Sequence, residues 1–173
     1  QTCALPISLD NVSWSVLTNT GTTSITYTDT GLNTPQTYYY RVSATSGYGT
    51  GAASNMASAI ASDVPDQVTG LTGTALPSAE IKIDWSTPAN NGYLITGYVI
   101  ERSIDAGQTW GVLVANTQST AITYTDTALT IGNTYNYRVA AINAVGTGTV
   151  SSDVAVVAGD IPDTPTISLT AQS

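Results

Sequence analysis

Two arrangements of carboxylates in this chain could do chemistry. Asp63 and Asp66 flank Pro65, and Asp160 and Asp163 flank Pro162 in the same way. With backbone carbonyls, such a joint could offer Ca²⁺ the six or more oxygen ligands that hard cations take. Two carboxylates per joint are few for that, and a solvated linker stiffened by proline is the simpler reading. Glu80 and Glu101 form the second arrangement, since a carboxyl pair is the minimal machinery for acid–base cleavage of a glycosidic bond. Both fall at outward positions of strand-like stretches, so catalysis is not expected of them. The chain has no His and one Cys. Neither a nitrogen–sulfur zinc site nor a Ser–His or Cys–His pair can be built from it. The expectation is therefore no catalytic, cofactor-binding or metal-ligating residue, and no enzyme.

Net charge narrows the partners. Twelve acidic side chains stand against four basic ones, a formal charge of −8. Nucleic acid and anionic membrane surfaces are poor partners, because little cationic surface is available to displace counterions from phosphates. The chain contains no run of 18 apolar residues, so no transmembrane helix is expected. Charged residues make up only 9 % of the chain, while Thr contributes 30 of its 173 residues, a composition suited to β-strand surfaces.

The segment 1–7, Gln-Thr-Cys-Ala-Leu-Pro-Ile, reverse-translates to a common sequencing-library adapter read in frame. It is set aside as a non-native, disordered artefact covering residues 1–8, and Cys3 with it. The remainder then reads as a truncated metagenomic frame, with any signal peptide lying outside the fragment.

Self-comparison organises the rest. Ile25-Thr26-Tyr27-Thr28-Asp29-Thr30 recurs as Ile122-Thr123-Tyr124-Thr125-Asp126-Thr127. Tyr38, Tyr40, Arg41 and Val42 recur as Tyr135, Tyr137, Arg138 and Val139, also 97 residues on. Trp14 and Trp110 are 96 apart, so one residue is lost upstream. That period is domain-sized rather than that of a solenoid repeat. Within the complete copy, Glu80–Trp85 alternates polar and apolar residues, as a half-buried strand does. Further strands are expected at 95–103, 110–115, 121–125, 134–142 and 154–158, separated by turns such as Asn90-Asn91-Gly92 and Asp105-Ala106-Gly107. No helical periodicity is sustained. Seven short strands in about 97 residues favour an antiparallel sandwich.

Trp85, followed by Pro88 and an Asn-Gly turn, resembles the second-strand tryptophan of fibronectin type III domains. Ile95–Glu101 resembles the third strand of that family. Leu129 six residues before Tyr135, and Leu32 before Tyr38, resemble its tyrosine corner. The resemblance implies an all-β, immunoglobulin-like, seven-stranded antiparallel sandwich in tandem. The expected divisions are 9–62 for the C-terminal part of one module, 63–160 for a complete one, and 161–173 for a linker and the first strand of a third. The corner tyrosines and Trp85 are then core residues rather than sugar-stacking platforms, whereas Tyr39, Tyr48, Tyr93 and Tyr124 are less constrained. Ser103-x-Asp105-x-Gly107-x-Thr109-Trp110 matches the Asp-box pattern of sialidase propellers. The 97-residue period excludes propeller blades, so this stretch reads as a hairpin between the third strand and the next. Neither loop, Ser46–Gly49 nor Ala144–Gly146, carries Arg-Gly-Asp, and Asn11-Val12-Ser13 is a formal glycosylation sequon.

The expected function is a non-catalytic spacer or adhesion module of a larger, bacterial-type secreted or cell-surface protein, contacting an unknown protein or polysaccharide. The alternative is a set of accessory linker modules in a secreted polysaccharide-degrading enzyme. Residues 9–62 are expected to be less stable than 64–160.

Overall fold

The computed structural model describes residues 2–21 and 23–159. Its chain forms two compact units. The first comprises the residues up to Val64 together with Asn90–Leu94 and Ala144–Gly146; the second comprises Pro65–Ala89, Ile95–Asn143 and the chain from Thr147 onward.

The second unit is a two-layer sandwich, and alternation of side chains explains it. Strands β1 to β6 belong to the first unit, at Thr2–Ser8, Ser15–Asn19, Gln36–Tyr40, Ser43–Ser46, Gly49–Thr50 and Ala57–Ala61. The second unit follows with β7 (Thr69–Leu76), β8 (Glu80–Ser86), β9 (Gly97–Ser103), β10 (Gly111–Val114), β11 (Thr123–Asp126), β12 (Thr134–Ile142) and β13 (Val154–Val157). Sheet order is β11-β8-β7 in one layer and β10-β9-β12-β13 in the other, antiparallel throughout. This is the all-β, immunoglobulin-like arrangement expected from the sequence. Ile81, Ile83 and Trp85 on β8 point inward against Tyr98 and Ile100 of β9 and Tyr135, Tyr137 and Val139 of β12. Each such side chain, fully buried, contributes roughly 1.5–3 kcal/mol of transfer free energy. The Trp85 and Tyr98 rings meet edge to face, 5.1 Å between centroids.

Strand β7 was not foreseen individually. Its sequence, Thr-Gly-Leu-Thr-Gly-Thr-Ala-Leu, carries few large side chains. The reason is a close approach between layers: a Cβ on Gly73 would collide with Val156 of β13.

The first unit is a single six-stranded sheet, ordered β5-β4-β1-β3-β6, with β2 paired to the other edge of β1. Here the expectation of disorder over residues 1–8 is corrected for residues 2–8, while Gln1 lies outside the described residues. Thr2–Ser8 is a strand that ladders to β2, β3 and β4, with Leu5 and Ser8 buried. Its β-branched and apolar residues satisfy their backbone groups in the sheet interior, which stabilises them whatever their origin. β1 holds the position that β9 holds in the second unit: Ile7 faces Tyr40 as Arg102 faces Tyr137. The third strand of the first module is thus present. The hexapeptide at 25–30, whose twin supplies β11, forms no strand.

Candidate functional site

The chemistry-bearing side chains of the second unit fall into two clusters on β9 and β12. The first lies at the turn between β9 and β10. Ser103 Oγ donates to Asp105 Oδ1 (2.6 Å) and accepts the backbone N–H of Gly107 (2.9 Å). Asp105 Oδ1 also accepts the N–H of Thr109 at 2.9 Å, and its Oδ2 accepts the Thr109 hydroxyl. Ala106 and Gly107 carry positive φ, 59° and 83°, to close the turn. The Ser103 hydroxyl and then the Thr109 donors hold the Asp105 carboxyl down at about 2. Trp110 Nε1 donates to the Gly107 carbonyl at 3.0 Å. Its ring lies under the Arg138 guanidinium, 4.3 Å from centroid to Cζ. Arg138 in turn pairs with Glu101 across the β9–β12 ladder. This is the hairpin expected of the Asp-box-like stretch.

A shorter version of the hairpin occurs in the first unit. Ser8 Oγ donates to Asp10 Oδ1 at 2.9 Å, and that oxygen accepts the N–H groups of Val12 and Ser13 at 2.8 and 2.7 Å. The Ser13 and Val12 N–H groups, with Ser8, hold the Asp10 carboxyl well below the usual carboxylate range. Asn11 has the φ of 59° that Ala106 has, and no residue corresponds to Gly107. Arg41 stacks on Trp14 at 4.0 Å, as Arg138 does on Trp110. No Glu faces Arg41, because its backbone bonds to Pro6 in β1.

The second cluster joins the two layers of the second unit. Asp126, on β11, is buried; its Oδ2 accepts Arg102 Nη1 from β9 at 2.8 Å and Tyr137 Oη from β12 at 2.9 Å. The Arg102 guanidinium also lies 5.4 Å from the centre of the Tyr135 ring. Burial, followed by the hydrogen bond to Asp126, pushes the Tyr137 phenol far above its ordinary value. Tyr135 closes the corner: its Oη accepts the N–H of Thr130 at 3.0 Å, and Tyr38 Oη accepts that of Asn33 at 2.9 Å. Both corner tyrosines and Trp85 are buried, as their core reading requires. Tyr48, at the tip of the β4–β5 hairpin, is fully exposed, and Tyr93 is exposed as well.

The carboxylates weighed for chemistry do not converge. Glu80 is on β8 in one layer and Glu101 on β9 in the other. Asp63 Oδ1 accepts the N–H of Val64 at 2.7 Å, while Asp160 and Asp163 lie outside the described residues. Among the described residues, no group of three or more His, Cys, Asp or Glu side chains is placed to hold a metal ion. Sequence reasoning assigned no role to Arg102 or Asp126. The signal was present in the repeated Asp29/Asp126 and Tyr40/Tyr137 positions, which keep the same spacing in both copies.

These features define a two-layer module with a tyrosine corner. The model of the fibronectin type III domain matches residues 66–157, more than half of the chain, and the chain belongs to that family. Chicken myosin-binding protein H is 38 % identical over 80 residues, covering 46 % of this chain and 14 % of that protein. Human protein sidekick-1 is 34 % identical over 103 residues, 60 % of this chain and 5 % of sidekick-1. Chicken fibronectin type-III domain-containing protein 3a is 30 % identical over 162 residues, 84 % of this chain and 13 % of that protein. The chain therefore spans about a seventh or less of these relatives. A crystal structure of tandem titin domains shares the fold at TM-score 0.58 and 17 % identity, covering 91 % of this chain and 55 % of the titin chain.

Proposed function

We propose that this chain is a non-catalytic segment of a larger extracellular or surface protein, in which fibronectin type III modules set spacing and offer surface for adhesion to protein or carbohydrate. The supporting observation is that the Arg side chains of the second unit are engaged in its own scaffold. Arg102 ties the layers through Asp126, and Arg138 is held between Glu101 and Trp110. The chain itself is Thr-rich and acidic. The relatives include a myosin-binding protein, so the extracellular assignment belongs to this proposal.

Stretching single chains between a surface and a force probe tests the spacer role. The second unit should unravel in one event, adding a contour length of about 30 nm for its extended residues. Gradual extension without a discrete event would remove the reading. The adhesion role is tested on arrays of glycans and matrix proteins, and uniform absence of binding would leave spacing alone.

A further inference from the structure

Asn91 is the one asparagine in the chain that a glycine follows. Such a pair is chemically labile. The backbone nitrogen of the next residue can attack the side-chain amide carbon, and glycine has no Cβ to crowd the approach. Asn91 and Gly92 form the centre of a tight turn, with φ of 51° and 102°, closed by the Tyr93 N–H on the Asn90 carbonyl at 3.4 Å. Both residues are half-buried and belong to the first unit. Three contacts engage the reacting residues. The Gly92 N–H, which carries the nucleophilic nitrogen, donates to Asn90 Oδ1 at 3.1 Å. Asn91 Nδ2 donates to the Val64 carbonyl at 2.9 Å, and the Asn91 carbonyl accepts the Asp63 N–H at 3.0 Å. Gly92 lies so close to the same segment that a Cβ there would stand 3.0 Å from Ser62 Cβ and 3.2 Å from the Ala61 carbonyl oxygen.

We propose that Asn91 is a self-modification site, a deamidation centre whose rate is set by the opening of this turn and whose product releases residues 61–64 from it. When the contacts open, the Gly92 nitrogen bonds to Asn91 Cγ. The Cγ–Nδ2 bond breaks, and the proton lost by the nitrogen leaves with ammonia. Water then adds to the five-membered imide and cleaves one of its two ring C–N bonds. Cleavage at Cγ leaves aspartate; cleavage at the main-chain carbonyl carbon leaves isoaspartate, with the chain rerouted through the side chain. The product sets a carboxylate against the Val64 carbonyl oxygen in place of the amide donor, with Asp63 adjacent in sequence to Val64. Acceptor then faces acceptor and a second negative charge stands nearby, so the segment loses its anchor. Chain age is thereby recorded as a local loosening.

Ageing the full chain in mildly alkaline buffer, with each asparagine followed by peptide mass spectrometry, tests the site. Asn91 should convert ahead of every other asparagine, giving aspartate and isoaspartate together. Urea should speed the conversion, because the native rate is limited by the open fraction of the turn. Asn90→Ala removes the acceptor of the Gly92 N–H and should raise the native rate about 2- to 12-fold, the factor that one hydrogen bond is worth. In urea, where the turn is absent, the two chains should convert at the same rate. Hydrogen exchange reads the consequence: the Asp63 amide should lose protection in the modified fraction of an aged sample and keep it in the unmodified fraction. Conversion at Asn91 no faster than at the other asparagines overturns the proposal. So does a native rate equal to that in urea, or one that Asn90→Ala leaves unchanged. Equal Asp63 protection in the two fractions overturns it as well.

Discussion

Arg102 reaches from one layer of the second unit to Asp126 in the other, Nη1 to Oδ2 at 2.8 Å. Asp126 is almost wholly buried, while part of Arg102 is in water. Removing the cation leaves a buried carboxylate with Tyr137 as its remaining side-chain donor. Breaking a fully buried pair costs 3–5 kcal/mol, and the exposure of Arg102 reduces that figure. Arg102→Leu should therefore destabilise the second unit by about 2–3 kcal/mol. Urea unfolding followed by circular dichroism measures it, and a change of a few tenths would show that the pair contributes little.

The reciprocal change is expected to help the first unit. Ile7→Arg supplies Asp29 with the partner it lacks. The pair would be half in solvent, so the gain is about 0.5–1 kcal/mol. It should vanish in the double variant Ile7→Arg, Asp29→Asn, a comparison that a double-mutant cycle makes directly.

Among the described residues, two buried polar atoms, Trp85 Nε1 and Tyr98 Oη, have no hydrogen-bond partner. A buried hydroxyl without a partner costs about 1–3 kcal/mol. Tyr98→Phe keeps the ring and its contact with Trp85 while removing that cost. The melting temperature should stay level or rise; a clear fall would mean that the hydroxyl is satisfied in solution.

The pH dependence has two separate windows. The Tyr137 phenol is raised by burial and by Asp126, and Tyr40 is pushed up to about 12 by burial and Asp29. Each is more easily kept neutral in the folded chain. Their contribution is present below the unfolded value of 10.0 and is lost as pH rises beyond it. Asp105 is shifted the other way. Its contribution is present above the unfolded value of 3.8 and is lost as pH falls toward about 2. Trp110 fluorescence should therefore change below pH 4, when Ser103 and Thr109 lose the carboxylate, and Asp105→Asn should flatten that change.

Limited proteolysis should cut the first unit before the second. Its β6 is exposed over four of five residues and, among the described residues, its sheet has no covering layer, so local opening costs less there. Equal resistance of the two would contradict this.

Most of the second unit was legible because alternation is strict where a strand has one wet and one dry face. β8 and β12 start where their patterns start, and Trp85 and the corner tyrosines sit in the core. β7 escaped because Gly70 and Gly73 leave little pattern to read, and Gly73 is small on account of a neighbour, Val156, that is far away in sequence. Residues 2–8 were not legible for a different reason: a resemblance at the nucleotide level says nothing about whether Leu5 can bury itself in a sheet. The Arg102–Asp126–Tyr137 cluster needs three strands in two layers, a juxtaposition that spacing along the chain does not reveal.

The duplicated hexapeptide has a kinetic consequence. β8 has two chemically identical hexapeptides to choose from in one chain, and only the choice of residues 123–126 yields the native sandwich. At the high effective concentration of an intramolecular rival, some refolding molecules will first zip β8 to residues 26–29 and must unzip before they finish. Sequence fidelity between copies thus carries a cost in folding traffic, and a single divergent residue in one of the two hexapeptides would relieve it.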